Sequence, residues 1–226
     1  MLKAVLFDLD QTLLNRDATF VSFMRIQHRR YASLMPGVTE DDYVAALRRF
    51  DLNGYTEKDE MFAKACELLG IPGEAGRLVE DFKSTYGSEP VVFADSLATL
   101  EKLRGRYRLG MVTNGRTYAQ NQKITHSGLR SYFEDIRVSE TEGVEKPDAR
   151  IFLRCVEALG VEPAEAVYIG DHAENDVVAA ISAGLMGVWK RSRHYAQPDP
   201  CDATIEHLAE LPEVLERLRA GGANRV

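Results

Sequence analysis

Two aspartates, Asp8 and Asp10, follow the first apolar run of the chain, residues 4–7. Side chains alternate along extended backbone, so both carboxylates would lie on one side of the strand end. Like charges about 4 Å apart repel by roughly 4 kcal/mol at an effective dielectric near 20, so we expect a cation between or beside them. Mg²⁺ prefers carboxylate oxygens and is the natural candidate. On its own, the pair is equally compatible with aspartates that form a turn.

Further polar side chains end two other apolar runs, and one lysine precedes a proline. They are Thr113 and Asn114 after residues 108–112, Asp171 after residues 166–170 with Asp176 close behind, and Lys146 before Pro147. Donor groups at a strand end can bind oxyanions, and proline fits the first turn of a helix. Because ligands of open parallel sheets bind outside the carboxyl ends of the strands, we expect these groups to converge on one crevice.

The elements that must position these residues alternate between strand and helix. Apolar runs without alternation indicate strands that are buried on both faces. Helical spacing is predicted at 96–103, 117–127, 149–159, 177–183 and 211–220. Alternating units imply right-handed crossovers, so residues 1–14 and 91–226 predict a doubly wound parallel α/β core of Rossmann-like type.

A different pattern fills residues 15–90, between the first two predicted strands. Apolar residues recur there at helical spacing in four segments, 20–34, 40–50, 58–69 and 74–86. Proline and glycine separate the segments. The pattern predicts a small all-helical domain inserted into the core.

In four motifs, and in their order, the sequence resembles the haloacid dehalogenase-like (HAD) hydrolase superfamily. The matching segments are Asp8-Leu9-Asp10-Gln11-Thr12, Thr113-Asn114-Gly115, Lys146-Pro147, and Gly170-Asp171 with Asp176. The resemblance covers about residues 1–14 and 91–205, and Gln11 stands where the family often has glycine or asparagine. The helical insertion is similar to the cap of one branch of the superfamily, in which the cap closes over the site and excludes water.

The resemblance implies a Mg²⁺-dependent phosphatase acting on a small phosphomonoester, such as a sugar phosphate or a nucleoside monophosphate. Asp8 would be the nucleophile and would form an aspartyl-phosphate. Asp10 would protonate the leaving alkoxide and then activate water. Lys146 would hold the phosphate and the nucleophile in register, with Thr113 and Asn114 as further phosphate-binding residues.

The resemblance also implies a set of metal ligands for Mg²⁺. Asp8, Asp171 and the backbone carbonyl of Asp10 would bind the ion directly. Asp176 would bind it either directly or through an intervening group.

Alternative functions and substrate contacts stay open. A phosphomutase would keep both aspartates, whereas a haloacid dehalogenase lacks an aspartate at the position of Asp10, and intact motifs disfavour a non-catalytic binding protein. Arg25 and Arg29 lie four residues apart on one helix face, and could receive an anionic leaving group or form a solvated basic face. Tyr55 could stack on a sugar or base, or pack within its turn.

Composition limits the partners. A formal net charge of −7 offers no basic footprint for a nucleic-acid polymer or an anionic membrane. No apolar stretch approaches the roughly 20 residues of a membrane span, and no signal peptide is visible before the first predicted strand. Three widely spaced cysteines without metal-type spacing indicate reduced thiols. We therefore expect a cytoplasmic protein, monomeric or a small homo-oligomer, whose partner is a small phosphorylated metabolite.

Overall fold

One parallel sheet organises most of the chain in the computed structural model, which describes residues 1–221. Its strands are β1 (Ala4–Phe7), β2 (Arg108–Thr113), β3 (Asp135–Val138), β4 (Ala166–Gly170), β5 (Met186–Lys190) and β6 (Ala203–Ile205). All neighbouring strands pair in parallel, in the order β3-β2-β1-β4-β5-β6. The predicted doubly wound parallel α/β core is thus confirmed.

The register of the central strands brings three strand ends to one edge. Phe7 lies beside Met111 of β2 and beside Ile169 of β4. The residues that follow these three positions, including Asp8, therefore lie close together at the carboxyl edge of the sheet.

Helices connect the strands and also build a separate helical unit. They are α1 (Arg16–Arg30), α2 (Glu40–Asp51), α3 (Lys58–Leu68), α4 (Ala75–Thr85), α5 (Ser96–Leu103), α6 (Thr117–His126), α7 (Ser139–Glu142), α8 (Ala149–Ala158), α9 (Ala179–Ser182) and α10 (Leu211–Gly221). A π-helical segment, Ala173–Val178, runs directly into α9.

Alternate residues of each strand enter two different apolar layers. Val5 and Phe7 belong to a buried cluster with residues of α5, α6 and α10. Ala4 and Leu6 belong to a second cluster with residues of α8 and α9. Both faces of β1 are therefore covered, which explains why its sequence is apolar without alternation.

The chain divides into two compact units. One comprises residues 1–16 with the described residues from 90 onward, and the other comprises residues 17–89. The second unit contains α2, α3, α4 and nearly all of α1, and it has its own apolar core built around aromatic residues such as Phe23, Phe62 and Phe82. The role of this unit as a cap stays a prediction.

Three helix starts differ from the sequence-based expectation. The first helix, α1, begins at Arg16 and so precedes the predicted segment 20–34. Pro147 does not open a helix, because α8 begins at Ala149 and the side chain of Asp148 caps it by accepting from the backbone N–H of Arg150. The helix expected from residue 177 begins earlier, at Ala173, where the His172 side chain accepts from the Asn175 N–H.

Within residues 1–221, no helix combines the length and the apolar character that crossing a membrane requires.

Candidate active site

Lys146 lies at the centre of the site and is 4 % exposed. Its Nζ donates to Asp8 Oδ1 at 2.7 Å, to Asp176 Oδ1 at 2.6 Å and to the Tyr168 hydroxyl at 2.9 Å. Three acceptors use all three N–H groups of the ammonium. Burial alone would lower the pKa of Lys146, but the carboxylates of Asp176 and Asp8 outweigh it and raise that pKa above its usual value.

Two neighbouring side chains hold Lys146 in place. The Tyr168 hydroxyl, which accepts from Nζ, donates in turn to the carbonyl of Val112 on β2 at 2.6 Å. The Asn114 side chain clamps the backbone of Lys146, because Nδ2 donates to its carbonyl and Oδ1 accepts from its N–H, both at 2.9 Å. Asn114 thus positions the lysine, and its direct contact with phosphate stays a prediction.

Three buried carboxylates surround this lysine. Asp8, Asp171 and Asp176 each offer one oxygen, and these oxygens all lie within 4.8 Å of one another. Burial raises the pKa of Asp8 to about 7, although Lys146 partly offsets it. Burial, together with the carboxylates of Asp176 and Asp8, raises the pKa of Asp171 to about 8.

The charge of this acidic triad suits a divalent cation. With all three carboxylates ionised, Lys146 compensates only one negative charge and leaves two. Oxygen donors this close together, and this strongly desolvated, match the ligand chemistry of Mg²⁺. The residues present therefore fit the metal that the sequence motifs imply.

A glycine allows Asp176 to reach the triad. A Cβ added at Gly170, the last residue of β4, would overlap the Asp176 side chain. With the glycine in place, Asp176 Oδ2 accepts from the backbone N–H of His172 at 3.0 Å, while Oδ1 binds Lys146. The π-helical segment Ala173–Val178 carries Asp176 in this position, as is frequent at functional sites.

Asp10 stands apart from the triad and has a lysine of its own. Lys123 on α6 forms an ion pair with Asp10 Oδ2, and Gln120 Nε2 donates to the same oxygen at 3.2 Å. Burial would raise the pKa of Asp10, but Lys123 outweighs it and lowers that pKa below its usual value. Each of the two aspartates therefore has a lysine beside it, Lys123 at Asp10 and Lys146 at Asp8. The Mg²⁺ expected beside Asp8 stays a prediction.

Thr113 ends β2 beside this pair. Its hydroxyl accepts from Gln120 Nε2 at 2.7 Å and is buried. Because Gln120 supplies a donor, the Thr113 proton is left to donate elsewhere, as a phosphate-binding hydroxyl must.

Sequence reasoning missed three buried polar side chains near the strand ends, Gln120, Lys123 and Lys190. Lys190 ends β5, donates to the Gln11 carbonyl at 2.9 Å, and lies over the Phe93 ring at 3.8 Å. Gln11 has a left-handed φ of 61°, so this bond holds a conformation that a non-glycine residue rarely adopts. A strand-end position could have singled out Lys190, as it did Asp8.

Arg25 and Arg29 of α1 form ion pairs within the helical unit. Arg25 pairs with Glu40 at 2.5 Å and with Asp41 at 2.7 Å, and Arg29 pairs with Glu40 at 2.7 Å. These ion pairs favour a charge-compensated surface over a binding site for an anionic leaving group. Tyr55 is 65 % exposed.

Comparison with known proteins places this chain in a class of hydrolases. The family model described as haloacid dehalogenase-like hydrolase matches residues 5–190, most of the chain. The chain belongs to this family, as its four motifs indicated.

Particular relatives agree with this assignment. The chain is 30% identical to the glyceraldehyde 3-phosphate phosphatase of Methanopyrus kandleri, over 96% of this chain and 99% of that protein. It is also 30% identical to the pyrimidine 5'-nucleotidase YjjG of Escherichia coli, over 93% of this chain and 96% of that protein. The HAD-hydrolase YfnB of Bacillus subtilis, solved bound to magnesium, shares the fold with a TM-score of 0.77 at 23% identity, over 95% of this chain and 98% of that one.

Proposed function

We propose that the protein is a Mg²⁺-dependent phosphatase that hydrolyses a small phosphomonoester through an aspartyl-phosphate on Asp8. The observation that carries the proposal is the buried Asp8 carboxylate, which is hydrogen-bonded to Lys146 and lies close to the carboxylates of Asp171 and Asp176. The names of the two relatives, a phosphatase of a phosphorylated triose and a nucleotidase, support a sugar phosphate or a nucleoside monophosphate as substrate.

Asp8, Asp171 and Asp176, with the backbone carbonyl of Asp10, would hold the metal. When bound, Mg²⁺ supplies positive charge that offsets the charge of the phosphoryl oxygens and of the triad.

The side chains divide the reaction between them. An Asp8 oxygen attacks phosphorus, and the bond between phosphorus and the ester oxygen breaks while Asp10 gives its proton to the departing alkoxide. Asp10 then takes a proton from water, which attacks the aspartyl-phosphate and releases inorganic phosphate and the Asp8 carboxylate. Lys146 would keep its hydrogen bond to Asp8 and would turn one of the N–H groups that it donates to Asp176 and Tyr168 toward a phosphoryl oxygen, which Thr113 would also bind.

The two steps need Asp10 in different protonation states. In the free protein Lys123 favours the carboxylate form, which is the base needed in the second step. The negative charge of an incoming phosphate dianion would favour the protonated form needed in the first step.

The test is phosphate release from a panel of sugar phosphates, nucleoside monophosphates and an aryl phosphate, with Mg²⁺ and with EDTA. We expect release with Mg²⁺ only, and none from Asp8→Asn, which retains a folded chain. Asp59→Asn changes an exposed aspartate in the same way and should keep wild-type activity. An active Asp8→Asn enzyme would overturn the nucleophile assignment.

The same panel separates the phosphatase from a phosphomutase. A mutase returns the phosphoryl group to another oxygen of the substrate, so ³¹P NMR would show an isomerised ester with little free phosphate. That result would replace the phosphatase proposal.

A further inference from the structure

Two polar side chains on one face of α6 are buried and lie outside the four motifs named above. Gln120 is 2 % exposed and Lys123 is 4 % exposed. Three residues apart on a helix, they face the same way. Burying an ammonium is costly unless a partner compensates it, so Lys123 requires an explanation.

Both side chains engage the same atom. Lys123 Nζ and Gln120 Nε2 donate to Oδ2 of Asp10. The other oxygen, Asp10 Oδ1, is buried, and among residues 1–221 it has no hydrogen-bond partner. The two carboxylate oxygens of Asp10 thus differ in their hydrogen bonding, because Oδ2 accepts from two donors and Oδ1 accepts from none among the described residues.

The surrounding backbone makes room for this arrangement. Gly115, with a φ of 141°, follows the end of β2, and an added Cβ there would lie 3.1 Å from the Gln120 side chain. Gln120 Nε2 also lies 3.0 Å from the Asn114 carbonyl and 2.7 Å from Thr113 Oγ1, so its two N–H groups are shared among these two acceptors and Asp10 Oδ2. Gln120 is therefore fixed from the β2 end, and the direction of its contact with Asp10 is fixed with it.

We propose that Lys123 and Gln120 are positioning residues that hold Asp10 by Oδ2, so that Oδ1 is the oxygen that exchanges the proton with the leaving group and with water. The inference rests on the proposed phosphatase function, in which Asp10 is the acid and base. Charge-assisted hydrogen bonds are short and directional, so the pair restricts rotation of the carboxylate. Freed from it, Asp10 could turn Oδ1 away from the departing oxygen.

The test uses the dependence of the rate on the leaving group. An alkyl phosphate needs a proton for its alkoxide, whereas a nitrophenyl phosphate releases a stable phenolate without one. Because kcat/KM reports the steps up to departure of the leaving group, Lys123→Met should lower it by about 100-fold for the best alkyl ester, within the usual range for acid–base catalysis. For nitrophenyl phosphate the loss should stay below about 10-fold.

If Lys123 had only a structural role, its replacement would reduce kcat/KM for both substrates by the same factor, because it would change only the amount of active protein. Lys123→Arg keeps a charged donor and should recover most of the alkyl activity. Lys102→Met replaces an exposed lysine of α5 and should leave both rates unchanged. If Lys123→Met does not fold, the neutral donor in Lys123→Gln replaces it, with the same inequality expected at a smaller size.

Equal losses on the two esters, or no loss on either, would overturn the inference while the wild type remains an active phosphatase. A wild type that releases phosphate from neither ester would overturn the proposed function, and this inference with it. A second variant, Lys123→Met in an Asp10→Asn background, should cause no further loss on nitrophenyl phosphate. A further loss there would show that Lys123 acts independently of Asp10.

Discussion

Each carboxylate of the candidate site is distinguished by its immediate neighbours. Asp8 shares Lys146 with Asp176, whereas Asp10 has Lys123. Burial raises the pKa of Asp8, and Lys123 lowers the pKa of Asp10 despite burial. The pKa values of two aspartates two residues apart are thus shifted in opposite directions, because a different lysine and a different set of carboxylates surround each one.

The Asn114 clamp provides a prediction at this scale. Asn114→Ala removes both hydrogen bonds to the Lys146 backbone and should lower the free energy of unfolding by about 1–3 kcal/mol. Because Lys146 would then be less well placed against Asp8, we expect kcat to fall by at least about 10-fold. Urea unfolding and phosphate release measure the two effects.

Asn121→Ala is the matched control, since Asn121 lies exposed on α6. It should change neither stability nor kcat appreciably. Full activity in Asn114→Ala would show that Lys146 keeps its place without the clamp.

The sequence could predict residues that end strands, but not residues that act from within an element. Asp8 and Asp171 are carboxylates directly after apolar runs, and such positions have few structural explanations. Tyr168 lies inside an apolar strand, where an aromatic residue is read as core. Lys123 lies within a helix, where periodicity indicates a face but not the partner across from it.

At the scale of elements, the close approach of the π-helical segment to β4 shapes the acidic triad. A Cβ at Gly170 would occupy the space of the Asp176 side chain. Gly170→Ala should therefore displace Asp176 and weaken Mg²⁺ binding by at least about 10-fold, with a parallel loss of activity. Isothermal titration with Mg²⁺ measures this directly.

Gly76→Ala is the comparison for this change. An added Cβ at Gly76, within α4, has no neighbour within 4 Å, so alanine there should stabilise the helix by about 0.5–1 kcal/mol and leave Mg²⁺ affinity unchanged. Undiminished Mg²⁺ affinity in Gly170→Ala would mean that Asp176 need not lie against β4.

Helix positions were more predictable than their first residues. The segments 40–50, 58–69 and 74–86 correspond to α2, α3 and α4 within one residue at each end, whereas α1 lies four residues before the predicted segment 20–34. The π-helical segment begins four residues before the predicted start. The sequence did not indicate this start, because the capping residue is His172 rather than Ser, Thr, Asp or Asn. The strand order also needed the structure, since alternation predicts parallel neighbours but not which strand lies at the centre.

For the molecule as a whole, the two segments of the α/β unit that flank the helical insertion are hydrogen-bonded to each other. The Asn15 N–H donates to the Val91 carbonyl at 2.8 Å, and the Phe93 N–H donates to the Leu13 carbonyl at 3.1 Å. The segments leaving and re-entering the α/β unit are thus paired with each other. Lengthening an insertion between two paired segments adds little to the entropic cost of closing the loop, which explains how the chain accommodates a helical unit with its own core.

Metal binding should be visible in the stability of the whole molecule. Desolvation and mutual repulsion of the three carboxylates destabilise the native state, and a divalent cation that binds the native state reduces this destabilisation. At a Mg²⁺ concentration about 100 times the Kd, linkage predicts about 2.7 kcal/mol of stabilisation. For a chain of this size that corresponds to a rise in Tm of roughly 5–10 °C, measured by calorimetry with Mg²⁺ against EDTA.

Asp171→Asn separates this effect from general salt stabilisation. The amide removes a charge from the triad, so the variant should be more stable than the wild type in EDTA and should gain little from Mg²⁺. If the two units unfold in separate transitions, only that of the α/β unit should move, because all three carboxylates belong to it. A Mg²⁺-induced shift that survives Asp171→Asn unchanged would place the metal elsewhere.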